Sequence, residues 1–166
     1  MKKLIILSLV LFAAFSSMAQ ADTLKPYQKN KHLPDISLLN VDSVLFSTTK
    51  LAAGTDKKII LMLFSPDCDH CQKQLEEFIS IKELPAKAEL VMISVYPLQY
   101  NRDFYKKYKL DKYPFIHLGQ DYKNFCIPFF IPHTVPVLAY YNKERQFTSI
   151  HQGNADKKQV LAALQD

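Results

Sequence analysis

The sequence predicts one α/β domain with a central mixed β-sheet and helices on both faces. Short apolar runs typical of buried strands alternate with segments whose apolar residues recur at helical spacing. Residues 58–64 are the clearest strand, and an amphipathic helix follows at once. Later runs at residues 137–141 and 147–151 predict a hairpin, after which a last helix closes the chain. Alternating strands and helices of this kind favour a sheet covered on both sides.

The chain divides into three predicted parts. Residues 1–21 have the features of a secretory signal peptide, since Lys2 and Lys3 precede an apolar core that ends in small residues. That core is too short to span a membrane comfortably. Residues 22–33 are polar and predict a tether or an irregular lead-in, and residues 34–166 form the domain. The mature protein is therefore expected outside the cytoplasm, in the periplasm of a bacterium.

Length and charge limit the domain count and the kinds of partner. The 166 residues leave room for one domain with a sizeable core. The formal net charge is +5, of which the predicted signal peptide contributes two, and no run of five or more basic residues occurs. A mildly basic surface without a basic cluster argues against a nucleic-acid partner. We expect a monomer.

Shorter elements complete the prediction. Residues 34–39 and 44–47 predict an N-terminal hairpin. Gly119 is expected to form a turn after a short strand, and residues 121–125 a short helix. Asn154 is a candidate cap for the last helix.

Two cysteines, Cys68 and Cys71, stand between the central strand and the amphipathic helix. A helix N-terminus carries partial positive charge, which favours the thiolate, the reactive form of cysteine. We expect Cys68 to be exposed and to attack a substrate disulfide, and Cys71 to resolve the mixed disulfide that results. Cys-x-x-Cys in this setting is a stronger signal than the spacing alone. No cofactor other than this redox-active pair is expected.

With these cysteines after a central strand and Val135-Pro136 before the last hairpin, the order of elements resembles the thioredoxin fold. Residues 33–38 and the predicted signal peptide make the chain similar to the exported TlpA/ResA-type reductases. The resemblance implies a thiol–disulfide oxidoreductase that acts on protein thiols or disulfides and receives electrons from a membrane donor. It also implies a cis Pro136 facing the cysteines. Thr134, Val135 and Pro136 would then bind an extended substrate chain.

The motif departs from the common pattern of that family. Asp67 stands where many relatives carry Trp, and Met62 stands where relatives often carry an acidic or amide residue. The residues between the cysteines are Asp69 and His70, and a His in that place resembles the oxidising DsbA-type enzymes. A His70 imidazole can stabilise the Cys68 thiolate, whereas the two aspartates oppose it. These three side chains are predicted to modulate the redox potential in a direction that their charges leave open. The alternative for His70 is a solvated turn residue.

The third cysteine, Cys126, lies in an apolar stretch between Phe125 and Ile127. A small buried thiol is the expected role, because unpaired cysteines are commonly buried.

Other functions on the same fold remain open. Cys68, Cys71, His70 and His133 could bind copper or zinc as in a metallochaperone, although the family's copper proteins use a longer cysteine spacing. A module that only binds peptides, with a structural disulfide, is a further alternative.

A peroxiredoxin-like peroxidase is the last alternative. Ser65 suits such a site, but Leu61 stands where that chemistry uses Pro. It also requires a positioned arginine, and the chain offers only Arg102 and Arg145.

Overall fold

The computed structural model describes residues 24–165, which contain one seven-stranded mixed sheet. The strands are β1 (Ser37–Leu39), β2 (Leu45–Ser47), β3 (Lys58–Leu63), β4 (Ala88–Ser94), β5 (Ile116–Gln120), β6 (Val137–Tyr141) and β7 (Phe147–Gln152). Their order across the sheet is β2-β1-β5-β4-β3-β6-β7. Strands β3, β4 and β5 run parallel, and the β1–β2 and β6–β7 hairpins add antiparallel edges. The predicted fold class is confirmed.

Helices cover both faces of the sheet. They are α1 (Pro26–Lys29), α2 (Thr48–Ala53), α3 (Asp69–Ser80), α4 (Leu84–Lys87), α5 (Leu98–Tyr108), α6 (Cys126–Phe130) and α7 (Lys157–Ala163), and a 3-10 turn spans Leu110–Lys112. Alternate residues of β3 serve two cores: Met62 packs with α3, α5 and α7, and Leu61 packs with α1, α2 and α6. Burial on both faces explains why β3 is continuously apolar. Within the part of the chain that the structure describes, no helix is long and apolar enough to cross a membrane.

The segment before β1 packs on the domain over residues 24–33, within the stretch predicted as a tether or an irregular lead-in. Tyr27 and Leu33 are each only 6% exposed, because both insert into the core on the α6 side of the sheet. The backbone also pairs with the β6–β7 hairpin, where Leu33 N–H donates to Arg145 O at 2.8 Å. The predicted signal peptide, residues 1–21, lies outside the described residues.

Gly119 lies inside β5, so the turn predicted there is wrong. A Cβ atom at this position would lie 2.7 Å from Leu38 Cβ and 2.9 Å from the ring of Phe46. Glycine is therefore needed for the close approach of the β1–β2 hairpin, not for a turn.

Two further helix predictions differ from the structure. The short helix predicted over residues 121–125 is wrong, because those residues form a turn and α6 begins only at Cys126. The buried carboxylate of Asp121 accepts a hydrogen bond from Cys126 N–H at 2.7 Å. Pro128 is tolerated because it lies in the first turn of α6. Asp156, and not Asn154, caps α7 by forming a capping box with Gln159.

Candidate active site

Cys68 is the N-cap residue of α3, at the end of the loop that leaves β3. Its Sγ accepts a hydrogen bond from Cys71 N–H at 3.3 Å, in the place where a side-chain oxygen usually caps a helix. Cys68 N–H in turn donates to Ser65 O at 3.2 Å. The sulfur is thereby fixed at the positive end of the helix, which stabilises negative charge.

The two cysteine side chains lie in different environments. Cys68 is half-buried, whereas Cys71 is 0% exposed and belongs to the core beneath α3. Burial, and next the hydrogen bond with Cys68, raise the pKa of the Cys71 thiol to about 12, although the Ser65 backbone opposes the shift. Both side chains are thiols in this structure. One reachable sulfur and one protected sulfur therefore lie within a single helical turn.

The segment before β6 brings a backbone edge to the cysteines. Cys68 Sγ lies 3.9 Å from Val135 O, as a long thiol-to-carbonyl contact. The Val135–Pro136 peptide bond is cis, Pro136 is buried, and the neighbouring Thr134 is exposed. Strand β6 pairs antiparallel with β3, with Leu63 opposite Val137, and this pairing holds the segment beside the start of α3.

Cys126 lines a small cavity next to this edge. The cavity measures about 210 Å³ and is mostly apolar, with Ser65, Val95, Ile127 and Val135 among its other lining residues. Cys126 is fully buried, as expected, and burial followed by the nearby Asp121 carboxylate raises the pKa of its thiol far above the usual range. Its sulfur is consequently a poor nucleophile in the folded protein.

The three predicted modulators, Asp67, Asp69 and His70, are all exposed. His70 Nδ1 lies 3.0 Å from Asn154 Oδ1, in the loop before α7. Asn154 Nδ2 also donates to His70 O at 2.7 Å. The imidazole is thus bonded to a residue that the sequence analysis had assigned to helix capping.

Two glutamines that the sequence analysis did not single out hold α3 in place. Gln72 Nε2 donates to Pro66 O at 2.9 Å, and its Oε1 accepts from Tyr108 OH at 2.9 Å. Gln74 is 0% exposed and makes two hydrogen bonds with the backbone of Ala155. Its spacing from Cys71 places it on the buried face of the helix, a signal that was available from periodicity.

The structure does not assemble the sets required by the alternative functions. In residues 24–165, no group of three or more His, Cys, Asp or Glu side chains is arranged to hold a metal ion. His133 Nε2 lies 3.3 Å from Lys25 Nζ instead. Arg102 donates to Val41 O, and Arg145 donates to backbone oxygens that include Lys57 O. Both arginines therefore support loops rather than the cysteines, and the arginine of a peroxidase site is missing from the described chain.

Comparison with known proteins defines the fold. No family model matches the sequence, and no curated protein matches it. Solved structures do match. A secreted Mycobacterium tuberculosis disulfide oxidoreductase homologous to E. coli DsbE has a TM-score of 0.62 at 13% identity, over 78% of this chain and 94% of that chain.

Two further structures are similar. StoA from Bacillus subtilis has a TM-score of 0.61 at 18% identity, over 81% of this chain and 98% of that chain. The exposed lipoprotein thioredoxin Etrx1 of Streptococcus pneumoniae has a TM-score of 0.61 at 19% identity, over 79% and 98%. The chain has the thioredoxin fold. At these identities the likeness establishes the fold alone.

Proposed function

We propose that this protein is a thiol–disulfide oxidoreductase that acts on protein thiols or disulfides through Cys68 and Cys71. The observation that carries the proposal is the placement of the two cysteines. Cys68 has a half-buried sulfur at a helix N-terminus, and Cys71 has a buried thiol and a backbone N that lies 3.3 Å from Cys68 Sγ. This geometry supports a nucleophile that a substrate can reach and a resolving group that it cannot.

In the reducing direction, the Cys68 thiolate attacks one sulfur of the substrate disulfide. The substrate S–S bond breaks, a mixed disulfide forms, and the released substrate thiolate takes a proton from water. Cys71 Sγ then attacks Cys68 Sγ and breaks the mixed disulfide. Its proton passes to the second departing substrate thiolate, and the protein keeps a Cys68–Cys71 disulfide. Two electrons have moved from the protein to the substrate.

The burial of Cys71 suits the second step. Its pKa of about 12 keeps it protonated in the resting dithiol, so it does not compete for the first attack. Once Cys68 is bonded to a substrate, the hydrogen bond between the two side chains, one cause of the raised pKa, is lost, and deprotonation becomes easier.

Substrate binding is proposed at Thr134, Val135 and Pro136. Val135 O lies 3.9 Å from Cys68 Sγ, so an extended chain that pairs with the Val135 backbone would bring its own cysteine to this sulfur. Asp67, Asp69 and His70 are the exposed groups proposed to modulate the couple, and no cofactor beyond the cysteine pair is invoked.

We also propose a cellular location, an electron donor and an oligomeric state. Residues 1–21 favour export to the periplasm of a bacterium, and two similar structures come from proteins described as secreted or exposed. Outside the cytoplasm, a reductase needs a source of electrons at the membrane, so a membrane electron donor is proposed as the upstream partner. A monomer is the proposed state.

Disulfide exchange by the purified protein tests the proposed function. We expect it to catalyse reduction of a model disulfide protein by dithiothreitol, and we expect Cys68→Ser to abolish that activity. Cys126→Ala is the matched control, since it removes the other cysteine and should leave turnover intact. Unchanged turnover in Cys68→Ser would overturn the proposal. The reduction potential gives the direction: about −270 mV indicates a reductase, and about −120 mV an oxidant.

A further inference from the structure

One short segment after β7 bonds to both sides of the candidate active site. We call residues 153–155 the bracket segment. On one side, Gly153 N–H donates to Pro136 O at 2.8 Å. On the other side, Ala155 N–H donates to Gln74 Oε1 at 2.7 Å, and Gln74 Nε2 returns a bond to Ala155 O at 3.1 Å. The bracket segment thus joins the substrate-side loop to helix α3.

Asn154, inside this segment, bonds to His70 through both ends of its amide. Its Nδ2 donates to His70 O at 2.7 Å, and a carbonyl oxygen can only accept, so this contact fixes the orientation of the amide. Oδ1 therefore faces His70 Nδ1 at 3.0 Å and must accept a hydrogen bond from it. The backbone of Asn154 is itself held, because His151 Nε2 donates to Asn154 O at 2.9 Å.

This pair of bonds determines where the His70 imidazole lies. The ring is bonded to a residue 84 positions further along the chain, and no hydrogen bond joins it to a cysteine sulfur within residues 24–165. The other charged groups near the start of α3, Asp67 and Asp69, are exposed carboxylates. An imidazolium beside the Cys68 thiolate would stabilise that thiolate and with it the dithiol form of the protein.

We infer that Asn154 is a positioning residue that holds the His70 imidazole away from Cys68 and thereby keeps the cysteine couple more reducing. The inference rests on the proposed function, because it concerns the same couple. Removing the amide releases the ring, which can then reach the Cys68 thiolate from the first turn of α3. The dithiol form becomes more stable, and the protein becomes a stronger oxidant.

Equilibration with glutathione measures this effect directly. Protein dithiol and one glutathione disulfide give protein disulfide and two glutathione molecules, so two electrons and two protons are transferred. We expect Asn154→Ala to shift this equilibrium toward the dithiol about tenfold, which corresponds to about 30 mV. Asn142→Ala is the matched control, because Asn142 makes its side-chain bond to Gln146 in the remote β6–β7 turn. It should leave the equilibrium unchanged.

A double-mutant cycle separates positioning from a general loosening of the fold. His70→Ala alone should change the equilibrium by less than about twofold, and Asn154→Ala combined with His70→Ala should return to the wild-type value. A shift that persists in the double variant, or no shift in Asn154→Ala, would overturn the inference. If the wild type has no reversible couple at all, the proposed function itself fails.

Discussion

Cys68 Sγ lies 3.9 Å from Val135 O, although the two residues are 67 positions apart in the chain. The contact exists because β6 pairs with β3 and so carries Val135 to the strand end from which the cysteine loop departs. A sulfur and an available backbone edge are thereby placed side by side. Such an arrangement suits a partner that is held by its main chain and reacts through one side chain.

Trapping of a substrate should distinguish the two cysteines. In Cys71→Ser the first attack proceeds but the resolving sulfur is missing, so a mixed disulfide between Cys68 and the substrate should accumulate. In Cys68→Ser no such species should form, because the two remaining thiols, Cys71 and Cys126, are buried. Non-reducing electrophoresis followed by mass spectrometry identifies the linked cysteine. Adducts at Cys71 in the Cys68→Ser variant would contradict this assignment of roles.

Alkylation of the folded, reduced protein at pH 8 should modify Cys68 far faster than Cys71. Only the thiolate reacts, and the pKa of about 12 leaves little thiolate at Cys71 at that pH. Cys126 should be protected in the same way, because burial and Asp121 raise its pKa. Peptide mass spectrometry after a timed iodoacetamide pulse gives the three rates. Similar rates in denaturant would serve as the control, and similar rates in the folded protein would refute the prediction.

The raised pKa of Cys71 makes the stability of the reduced protein sensitive to alkaline pH. Folding raises the pKa of Cys71 above 9.0, the ordinary value for a cysteine thiol, so the unfolded state releases this proton first. The contribution of Cys71 to stability is therefore intact below about pH 9 and is lost as the pH rises toward about 12. Urea unfolding at pH 8 and pH 10 should show a larger loss in the wild type than in Cys71→Ser. An equal loss in both proteins would exclude Cys71 as the source.

Gln74→Leu should destabilise the protein by about 2 kcal/mol, since it leaves the N–H and C=O of Ala155 without partners in a buried site. Gln99→Leu is the matched control, because Gln99 lies on an exposed helix surface and its side chain donates to the exposed Asp103. It should cost less than about 0.5 kcal/mol. The free energy of unfolding in urea measures both, and equal values would show that the Gln74 bonds contribute little.

Gly119→Ala should lower stability by about 1–3 kcal/mol, because its Cβ would overlap Leu38 and Phe46. Gly54→Ala offers a comparison at a helix end, where the nearest atom to an added Cβ is Leu51 O at 3.5 Å. That substitution should be nearly neutral. Thermal unfolding of the two variants provides the measurement. A neutral Gly119→Ala would mean that the N-terminal hairpin can move away from β5.

The sequence predicted the central part of this molecule because its signals are local. Residues 58–64 are continuously apolar, and the apolar residues after Cys68 repeat at helical spacing, so strand, loop and helix follow without long-range information. The position of Val135 beside the cysteines came only from resemblance to a known fold. Nothing in the residues around Val135 by themselves specifies that contact.

The wrong predictions for Asn154 and Gly119 share a physical cause, namely contacts between residues far apart in the chain. Asn154 looks like a helix cap locally, yet its amide bonds to His70, and Asp156 takes the capping role. Gly119 looks like a turn residue, yet glycine is needed there because the hairpin packs too closely to leave room for a Cβ atom. Local propensity could not reveal either partner, since each lies about 80 positions away.

The packed residues before β1 have a further consequence. Strand β7 lies at the sheet edge, where unpaired backbone groups invite association with other chains. Lys31 O accepts from Phe147 N–H at 2.6 Å, and Leu33 N–H donates to Arg145 O, so this stretch covers the beginning of that edge. A chain shortened to begin at residue 34 would uncover it. Such a shortened protein should aggregate more readily even if its cysteines still exchange disulfides normally.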